Sequence, residues 1–441
     1  MAAMWITRLG IVSDDGTATK IGGGWGGGTD GHAEQQNIMD EVGVWESLPE
    51  DVLDRVLARL PLQSLLRMQC VCKRWKIKLR TSSFIRLCES ESDVVPQKWF
   101  LTFGNVPGPV GLAYDCHLCK WHSLPLGFLP FALDNKSPLA AADGLICLGA
   151  GWRSLNKGFT PTRLVVCNPL SRFWRDVALP PDLDPATSLV SVAGIVVDRY
   201  AGTYKLVIVG EVTKQEGGGK REQKVLIAFV FDSVSQSWSS HETLVNFLDP
   251  FTSFLTSHFR TLVGFAIRSV CCSVVCEGVM YCLTSRPYQL HAFHVESEEW
   301  SRSRVALPAE IRGPSLAGRP GHLFLVGAYL HNQHDKSSNI GIWELDQETL
   351  RWSVVDILLE ATLCNHGRSK SPASPGTAQR PNPNPEGCEE DVILFVKWSV
   401  RFLAYNVTKK SWHWLPDFHL CSQSCAPSST GYLFAPSLLL P

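Results

Sequence analysis

Residues 230–238, VFDSVSQSW, contain an apolar strand, a turn residue at Asp232 and a tryptophan six positions later at Trp238. The same pattern recurs in segments 113–121 (AYDCHLCKW), 166–174 (VCNPLSRFW), 292–300 (AFHVESEEW), 343–352 (WELDQETLRW) and 404–412 (AYNVTKKSW). The tryptophans of the six segments are Trp121, Trp174, Trp238, Trp300, Trp352 and Trp412, and they are about 58 residues apart on average. A regular period of this size indicates a repeat architecture.

Each repeat also carries earlier apolar strands, most visibly between residues 193 and 241. The pieces AGIVVD, YKLVIVGE, VLIAFVFD and SQSWSSH predict four strands, the last two joined as a hairpin. Four-stranded units repeated radially form a β-propeller, which leaves few exposed strand edges. Six tryptophans favour six blades, and we expect the tail from Gly431 to Ala435 to supply the strand that closes the ring on the first blade.

Residues 45–87 have a different pattern, that of three short helices. Ser47 and Glu50 form a capping box with Pro49 in the first turn, so a helix begins here. Its apolar positions recur on one face, and Pro61 ends it. A second apolar helix follows, and a third opens at residues 71–75 (VCKRW). A unit this small has little core of its own and is expected to dock on a partner.

The order of apolar residues and prolines in this stretch resembles an F-box. The resemblance implies that the helices pack on the Skp adaptor of a cullin–RING ubiquitin ligase. The candidate adaptor-binding residues are Leu48, Pro49, Leu53, Val56, Leu57, Leu60, Pro61, Leu65, Leu66, Val71, Cys72 and Trp75. Some of them must form the core of the module instead, and the pattern does not separate the two groups. The alternative is a helical hairpin inside a larger core.

The repeats also resemble a known family. Segments 164–180 (LVVCNPLSRFWRDVALP), 340–355 (IGIWELDQETLRWSVV) and 402–416 (FLAYNVTKKSWHWLP) are similar to blades of plant F-box/kelch-repeat proteins. The chain departs from that pattern where the double glycine of standard kelch repeats is mostly reduced to one glycine or lost. The resemblance extends over most of residues 45–441.

These observations predict an α+β multidomain chain, with a small all-α F-box module followed by an all-β kelch-type β-propeller. We expect a disordered, glycine-rich leader at 1–42, the F-box at 43–90 and the propeller at 98–441. A proline-rich insert at 368–390 cannot hold a strand ladder, so it is predicted to be a mobile loop between blades five and six.

Composition excludes several functional classes. The net charge of −1 argues against a general nucleic-acid binder. No secretory signal and no long apolar run is found, so we expect no membrane span and a cytoplasmic or nuclear location. The 15 cysteines, among them Cys147, Cys167 and Cys282 in strand-like segments, suit buried thiols in a reducing compartment better than a disulfide framework.

Residues that could carry chemistry have simpler interpretations. The repeat tryptophans could stack on a ligand, but their fixed position favours blade packing. Cys116, Cys119 and His122 have metal-like spacing, yet only one such knuckle is present where a zinc site commonly uses two. We therefore expect no metal, no cofactor and no catalytic residue, and the common enzyme signatures are missing.

The predicted function is substrate recognition for a Skp–cullin–F-box (SCF) ubiquitin ligase. The F-box would bind the Skp adaptor and, through it, cullin and a RING protein, while the propeller would bind a target protein. Leu53→Asp or Leu57→Asp would then abolish adaptor binding. The main alternative is an F-box/propeller scaffold that acts without ubiquitin transfer, and a more distant one is a propeller enzyme.

Overall fold

The structure is a computed structural model, and it describes sixteen stretches of the chain and the final residue. They are 49–91, 98–104, 110–116, 118–129, 137–150, 153–155, 158–183, 189–215, 222–242, 273–285, 288–301, 305–329, 339–359, 392–398, 401–416, 427–438 and 441. The predicted leader and the proline-rich insert lie outside these residues. The chain divides into two compact units, Met1–Asp54 and Arg55–Pro441, and only residues 49–54 of the first are described.

Four helices precede the sheets: α1 (Glu50–Ala58), α2 (Leu62–Met68), α3 (Lys73–Lys78) and α4 (Ser82–Glu91). Acidic Glu50 and Asp51 in the first turn of α1 suit the positive end of its helix dipole. The side chain of Cys72 accepts a bond from the Trp75 amide at 3.4 Å and caps α3. The sequence predicted three helices in 45–87 and missed the fourth, α4, which extends beyond that stretch to Glu91.

The strands follow in chain order. The region of the first two blades contains β1 (Trp99–Gly104), β2 (Val110–Asp115), β3 (Lys120–Pro125), β4 (Ser137–Ala142), β5 (Leu145–Ala150), β6 (Arg153–Leu155), β7 (Gly158–Thr160), β8 (Arg163–Asn168) and β9 (Phe173–Val177). Strands β6 and β7 form a separate two-stranded sheet between β5 and β8. The next two contain β10 (Leu189–Asp198), β11 (Thr203–Gln215), β12 (Glu222–Asp232), β13 (Ser237–Glu242), β14 (Ser273–Cys276), β15 (Val279–Ser285), β16 (Tyr288–His294), β17 (Glu299–Trp300) and β18 (Val305–Ala306). The last are β19 (Ile311–Arg319), β20 (His322–Tyr329), β21 (Asn339–Asp346), β22 (Arg351–Leu358), β23 (Val392–Trp398), β24 (Arg401–Asn406), β25 (Ser411–Trp414) and β26 (Pro427–Phe434).

These strands form the predicted β-propeller. Five sheets have four or five strands, with the orders β26-β1-β2-β3, β4-β5-β8-β9, β10-β11-β12-β13, β14-β15-β16-β17 (with β18 on β16) and β19-β20-β21-β22. A sixth sheet, β23-β24-β25, has three described strands, so the described residues form five complete blades where the sequence favoured six. By the positions of Asn406 and Trp412, these three correspond to the second, third and fourth strands of the other blades.

The ring closes through the end of the chain. Strand β26 pairs antiparallel with β1, Trp99 lying opposite Phe434, and becomes the innermost strand of blade one. The innermost strands of blades one to five are in contact from each blade to the next, and in blade six the second-position strand β23 contacts β19 on one side and β26 on the other. The predicted closing strand is therefore confirmed.

The apolar core lies between blades. Each pair of neighbouring blades shares one hydrophobic cluster, including Leu145 and Leu206 between blades two and three, and Phe100 and Phe402 between blades one and six. Burying apolar surface stabilises a fold by about 25 cal/mol per Å². In this ring, that stabilisation depends on neighbouring blades staying together.

The last hairpin of every blade has the same backbone. The residue two positions before each tryptophan has a positive φ, and none of the six is glycine: Cys119, Arg172, Gln236, Glu298, Leu350 and Lys410. In five of the six hairpins an aspartate or asparagine side chain accepts a backbone N–H from the turn, as Asp232 Oδ1 does from Val234 at 2.6 Å. Side-chain acceptance of this kind fixes a tight turn.

Candidate functional site

The structure separates the predicted adaptor-binding residues by burial. Leu53, Leu57 and Leu65 are buried, with Leu57 only 2% exposed. Ala58, Leu79, Phe84 and Ile85 of the helices are buried as well. An aspartate at Leu53 or Leu57 would therefore unfold the module, and loss of binding in such a variant would not locate an interface.

The other predicted residues are accessible in whole or in part. Leu60, Leu66 and Trp75 are half-buried, while Pro49, Val56, Pro61, Val71 and Cys72 are exposed. Leu48 lies outside the described residues. The exposed members are the ones that a partner can reach.

Large apolar side chains are unusually exposed on this module. Val52 and Val56 are each 40% exposed and lie one turn apart in α1. Val71 is 48% and Ile77 68% exposed. Exposed apolar groups at this density mark an interaction surface more often than an ordinary solvated face.

The sequence did not single out Ile77, although helix α3 (KRWKIK) contains no buried residue. Lys73 and Lys76 on the same helix are exposed as well. An isoleucine between lysines on a short, unburied helix is the signal that identifies it. Helix α3 itself therefore presents both apolar and basic side chains to solvent.

Cys116, Cys119 and His122, the residues with metal-like spacing, are all described. Cys116 is buried, and the Cys119 thiol donates to the Cys116 carbonyl at 3.7 Å. The His122 ring stacks on Trp99 with centroids 5.2 Å apart, and burial lowers the pKa of His122. No group of three or more potential metal ligands is found among the described residues.

The interior thiols are poor nucleophiles. Cys147 is fully buried, and burial raises the pKa of its thiol far above the ordinary value. Burial also raises the pKa of Cys276 to about 11, and its thiol donates to the Arg319 carbonyl at 2.9 Å. Cys271, Cys272, Cys421, Cys425, His331 and His334 lie outside the described residues.

The repeat tryptophans lie half-buried on the outermost strands and join neighbouring blades. The indole N–H of Trp238 donates to the Ala178 carbonyl at 2.8 Å, and that of Trp300 donates to the His241 carbonyl at 3.3 Å. Two others act in the same way, Trp121 on Pro416 and Trp412 on Asp356. An indole whose N–H is hydrogen-bonded to the preceding blade of the ring is less available to stack on a ligand.

None of the described helices has the length and apolar character that a membrane crossing requires.

Comparison with known proteins agrees with this architecture. The family model "F-box domain" matches residues 45–87. F-box only protein 6 of Arabidopsis thaliana is 26% identical over 324 residues, which are 72% of this chain and 59% of that protein. An Arabidopsis F-box/kelch-repeat protein is 24% identical over 89% of each chain, and Protein UNUSUAL FLORAL ORGANS of the same plant is 21% identical over 85% of this chain and 79% of its own length.

The molecule is thus an F-box protein in which a helical module precedes a β-propeller. The F-box match and the named relatives support a similarity of this chain to plant F-box/kelch-repeat proteins. An F-box implies binding to a Skp-type adaptor of SCF complexes, and F-box proteins are in general non-catalytic adaptors.

Solved structures offer weaker likenesses. A chain of the nidogen/laminin complex has 9% identity, covers 76% of this chain and 97% of its own, and has a TM-score of 0.37. YjhT is 12% identical, covers 76% of this chain and 95% of its own, and has a TM-score of 0.34. At TM-scores below 0.5, neither likeness bears on fold or function.

Proposed function

We propose that this chain is the substrate-recognition subunit of an SCF ubiquitin ligase, with its F-box on the Skp adaptor and its propeller on a target protein. The observation that carries the proposal is that the F-box match at 45–87 coincides with the exposed apolar side chains Val56, Val71 and Ile77. Burying side chains of this kind contributes about 1.5–3 kcal/mol each when they become fully covered.

The chain itself supplies no catalytic residue in this mechanism. It holds the target close to the ubiquitin-charged conjugating enzyme, and tethering raises the effective concentration of a target lysine. The proposal includes a cytoplasmic or nuclear location. The free thiols of Cys70, Cys72, Cys119, Cys147 and Cys276 support a reducing compartment.

The adaptor interface is tested with Val56→Asp, because Val56 is exposed and its replacement leaves the module's interior intact. Val354→Asp is the matched control, since Val354 is an exposed valine on strand β22 of blade five. We expect Val56→Asp to weaken binding to the Skp adaptor by about 50-fold or more, because a carboxylate would be buried in the interface. Val354→Asp should bind as wild type, and unchanged binding of Val56→Asp would refute the interface.

Ubiquitin transfer is tested separately from binding. The full chain is reconstituted with Skp, cullin, RING protein, activating enzyme, conjugating enzyme and ubiquitin, and ubiquitin conjugation to the chain itself is followed. The ligase role predicts conjugation that depends on cullin and is lost in Val56→Asp. Adaptor binding without conjugation would favour the scaffold function instead.

A further inference from the structure

The two ends of the propeller ring differ. In blades two to five the turn between the first and second strands lies at the same end as the turn between the third and fourth. Contacts between consecutive blades join these turns: Asp143 with Arg199, Lys205 with Glu298, and Cys276 with Arg319. We call this end the turn face.

Exposed apolar side chains gather on the turn face. Among the described residues of the propeller, five of the seven exposed large hydrophobic residues lie in or beside these turns: Leu118, Phe173, Tyr200, Val234 and Leu350. Tyr200 and Val234, both on blade three, are the most exposed, at 92% and 72%. Tyrosine is a residue type enriched among the anchors of protein interfaces.

The two turns that carry Tyr200 and Val234 are held together. The Tyr204 amide donates to Ser233 Oγ at 2.8 Å, and the Ser233 amide donates to the Tyr204 carbonyl at 3.0 Å. Within the first turn, the Ala201 amide donates to Asp198 Oδ1 at 3.0 Å. A preorganised surface loses less entropy on binding than a flexible one does.

Charge on the turn face is divided by blade. Blades four and five carry the exposed acids Glu277, Glu296, Glu299, Asp346 and Glu348, against one exposed base, Arg351. Blades six, one and two carry the exposed bases Lys409, Lys410, Lys120 and Arg172. The Lys205 ammonium, 3.4 Å from Glu298 Oε1, joins the apolar blade three to the acidic blade four.

We propose that the turn face of blades three to five is the target-binding surface, and that it takes a protein segment with an apolar anchor beside basic side chains. Tyr200 and Val234 contact the anchor, and the acids of blades four and five pair with lysine or arginine. This inference rests on the proposed role of the propeller in binding a target. The negative field excludes a phosphate backbone and attracts a basic segment.

The probe is a phage-displayed library of random dodecapeptides selected on the full chain. We expect enrichment of peptides with a large apolar residue next to lysine or arginine. Selection of acidic peptides, or no enrichment over a surface without protein, would overturn the inference.

The enriched peptide is then measured by fluorescence polarisation against variants. Tyr200→Ala, and separately the Glu296→Lys/Glu299→Lys pair, should each weaken binding by about 10-fold or more. The double substitution should also make peptide binding less sensitive to salt concentration. Glu310→Lys is the matched control, because Glu310 is exposed and connects blades four and five at the opposite end of the ring. Equal effects of Glu310→Lys, or none from Tyr200→Ala, would contradict the proposed surface.

The same samples are assayed for Skp adaptor binding. Tyr200→Ala should keep the adaptor and lose the peptide, whereas Val56→Asp should lose the adaptor and keep the peptide. Failure of this surface and failure of the ligase role therefore give different results.

Discussion

The helical module and the propeller bury apolar surface in different ways. The propeller places its apolar strands between neighbouring blades, one cluster at each junction, so each blade is a partner for the next. The module leaves Val52, Val56, Val71 and Ile77 exposed. A closed ring satisfies its own apolar surface, whereas a short helical unit leaves part of it for another protein.

Removing the closing strand should have the largest effect, because the ring could then no longer cover its own apolar surface. Deletion of 427–441 takes β26 from blade one and exposes the apolar edge of β1, so the propeller should lose its closed core. We expect the midpoint of thermal unfolding, followed by near-UV circular dichroism, to fall by more than about 10 °C, or the protein to become insoluble. A midpoint within about 2 °C of wild type would show that the ring does not depend on β26.

Adaptor binding should change the module and leave the ring unaffected. In the free chain we expect amides of α1 to α4 to exchange hydrogen faster than those of β5 and β12. Skp adaptor at 100 times its dissociation constant should slow exchange in the helices by up to about 100-fold. Equal slowing in β5 and β12, measured by mass spectrometry, would contradict the independence of the two regions.

Two glycines in equivalent turns test how blades one and two are joined. Gly144 has a φ of +83°, and a Cβ there would lie 2.6 Å from Ser437 Oγ in the tail beyond β26, whereas Gly278 has a φ of +75° with nothing within 4 Å. Gly278→Ala should cost about 1 kcal/mol of stability through backbone strain alone. Gly144→Ala should cost about 2–3 kcal/mol because the tail must also move. Equal losses of stability for the two variants in urea unfolding would show that contact with the tail does not contribute.

The indole bonds between blades should contribute a smaller amount. Trp238→Phe removes the donor to Ala178, while Trp352 Nε1 has no acceptor among the described residues. We therefore expect Trp238→Phe to destabilise the protein by about 1 kcal/mol more than Trp352→Phe. Identical urea midpoints for the two variants would mean that the tryptophans act through ring packing alone.

The smallest effect concerns acid pH. Burial alone would raise the pKa of Glu298, but bonds from Ser239 and Lys205 and the nearby His241 outweigh it, so the pKa is lowered. A lowered pKa in the folded state contributes stability above the unfolded value, and this contribution is lost as pH falls through the folded value. Glu298→Gln should flatten the decline in unfolding midpoint below about pH 4.5. An unchanged decline would exclude this cluster as its cause.

The repeat architecture was predictable because each hairpin has a short sequence pattern of its own. An aspartate or asparagine fixes the turn in five of the six hairpins, and a tryptophan follows at constant spacing in all six. The left-handed residues between them, such as Cys119 and Leu350, were not predictable, since neither residue type favours that conformation. The surrounding strands impose the left-handed conformation on these residues.

The sequence predicted the adaptor-binding residues of the F-box only as a group. Leu57 and Val56 are neighbours in an apolar helical pattern, yet one is buried and the other exposed. Periodicity in one sequence gives a helix and an apolar face, but it does not tell the module's own core from the surface that a partner covers. The charge division on the turn face was also missed, because turns far apart in sequence meet only in the ring.

The antiparallel pairing of Trp99 with Phe434 has a consequence for synthesis. During translation, β1 leaves the ribosome hundreds of residues before β26, so blade one waits for its innermost strand until β26 has been made. The F-box helices emerge before β1. Under the proposed function, a nascent chain would meet its adaptor while the propeller is still incomplete, and chaperones would act on a chain that is already bound to the adaptor.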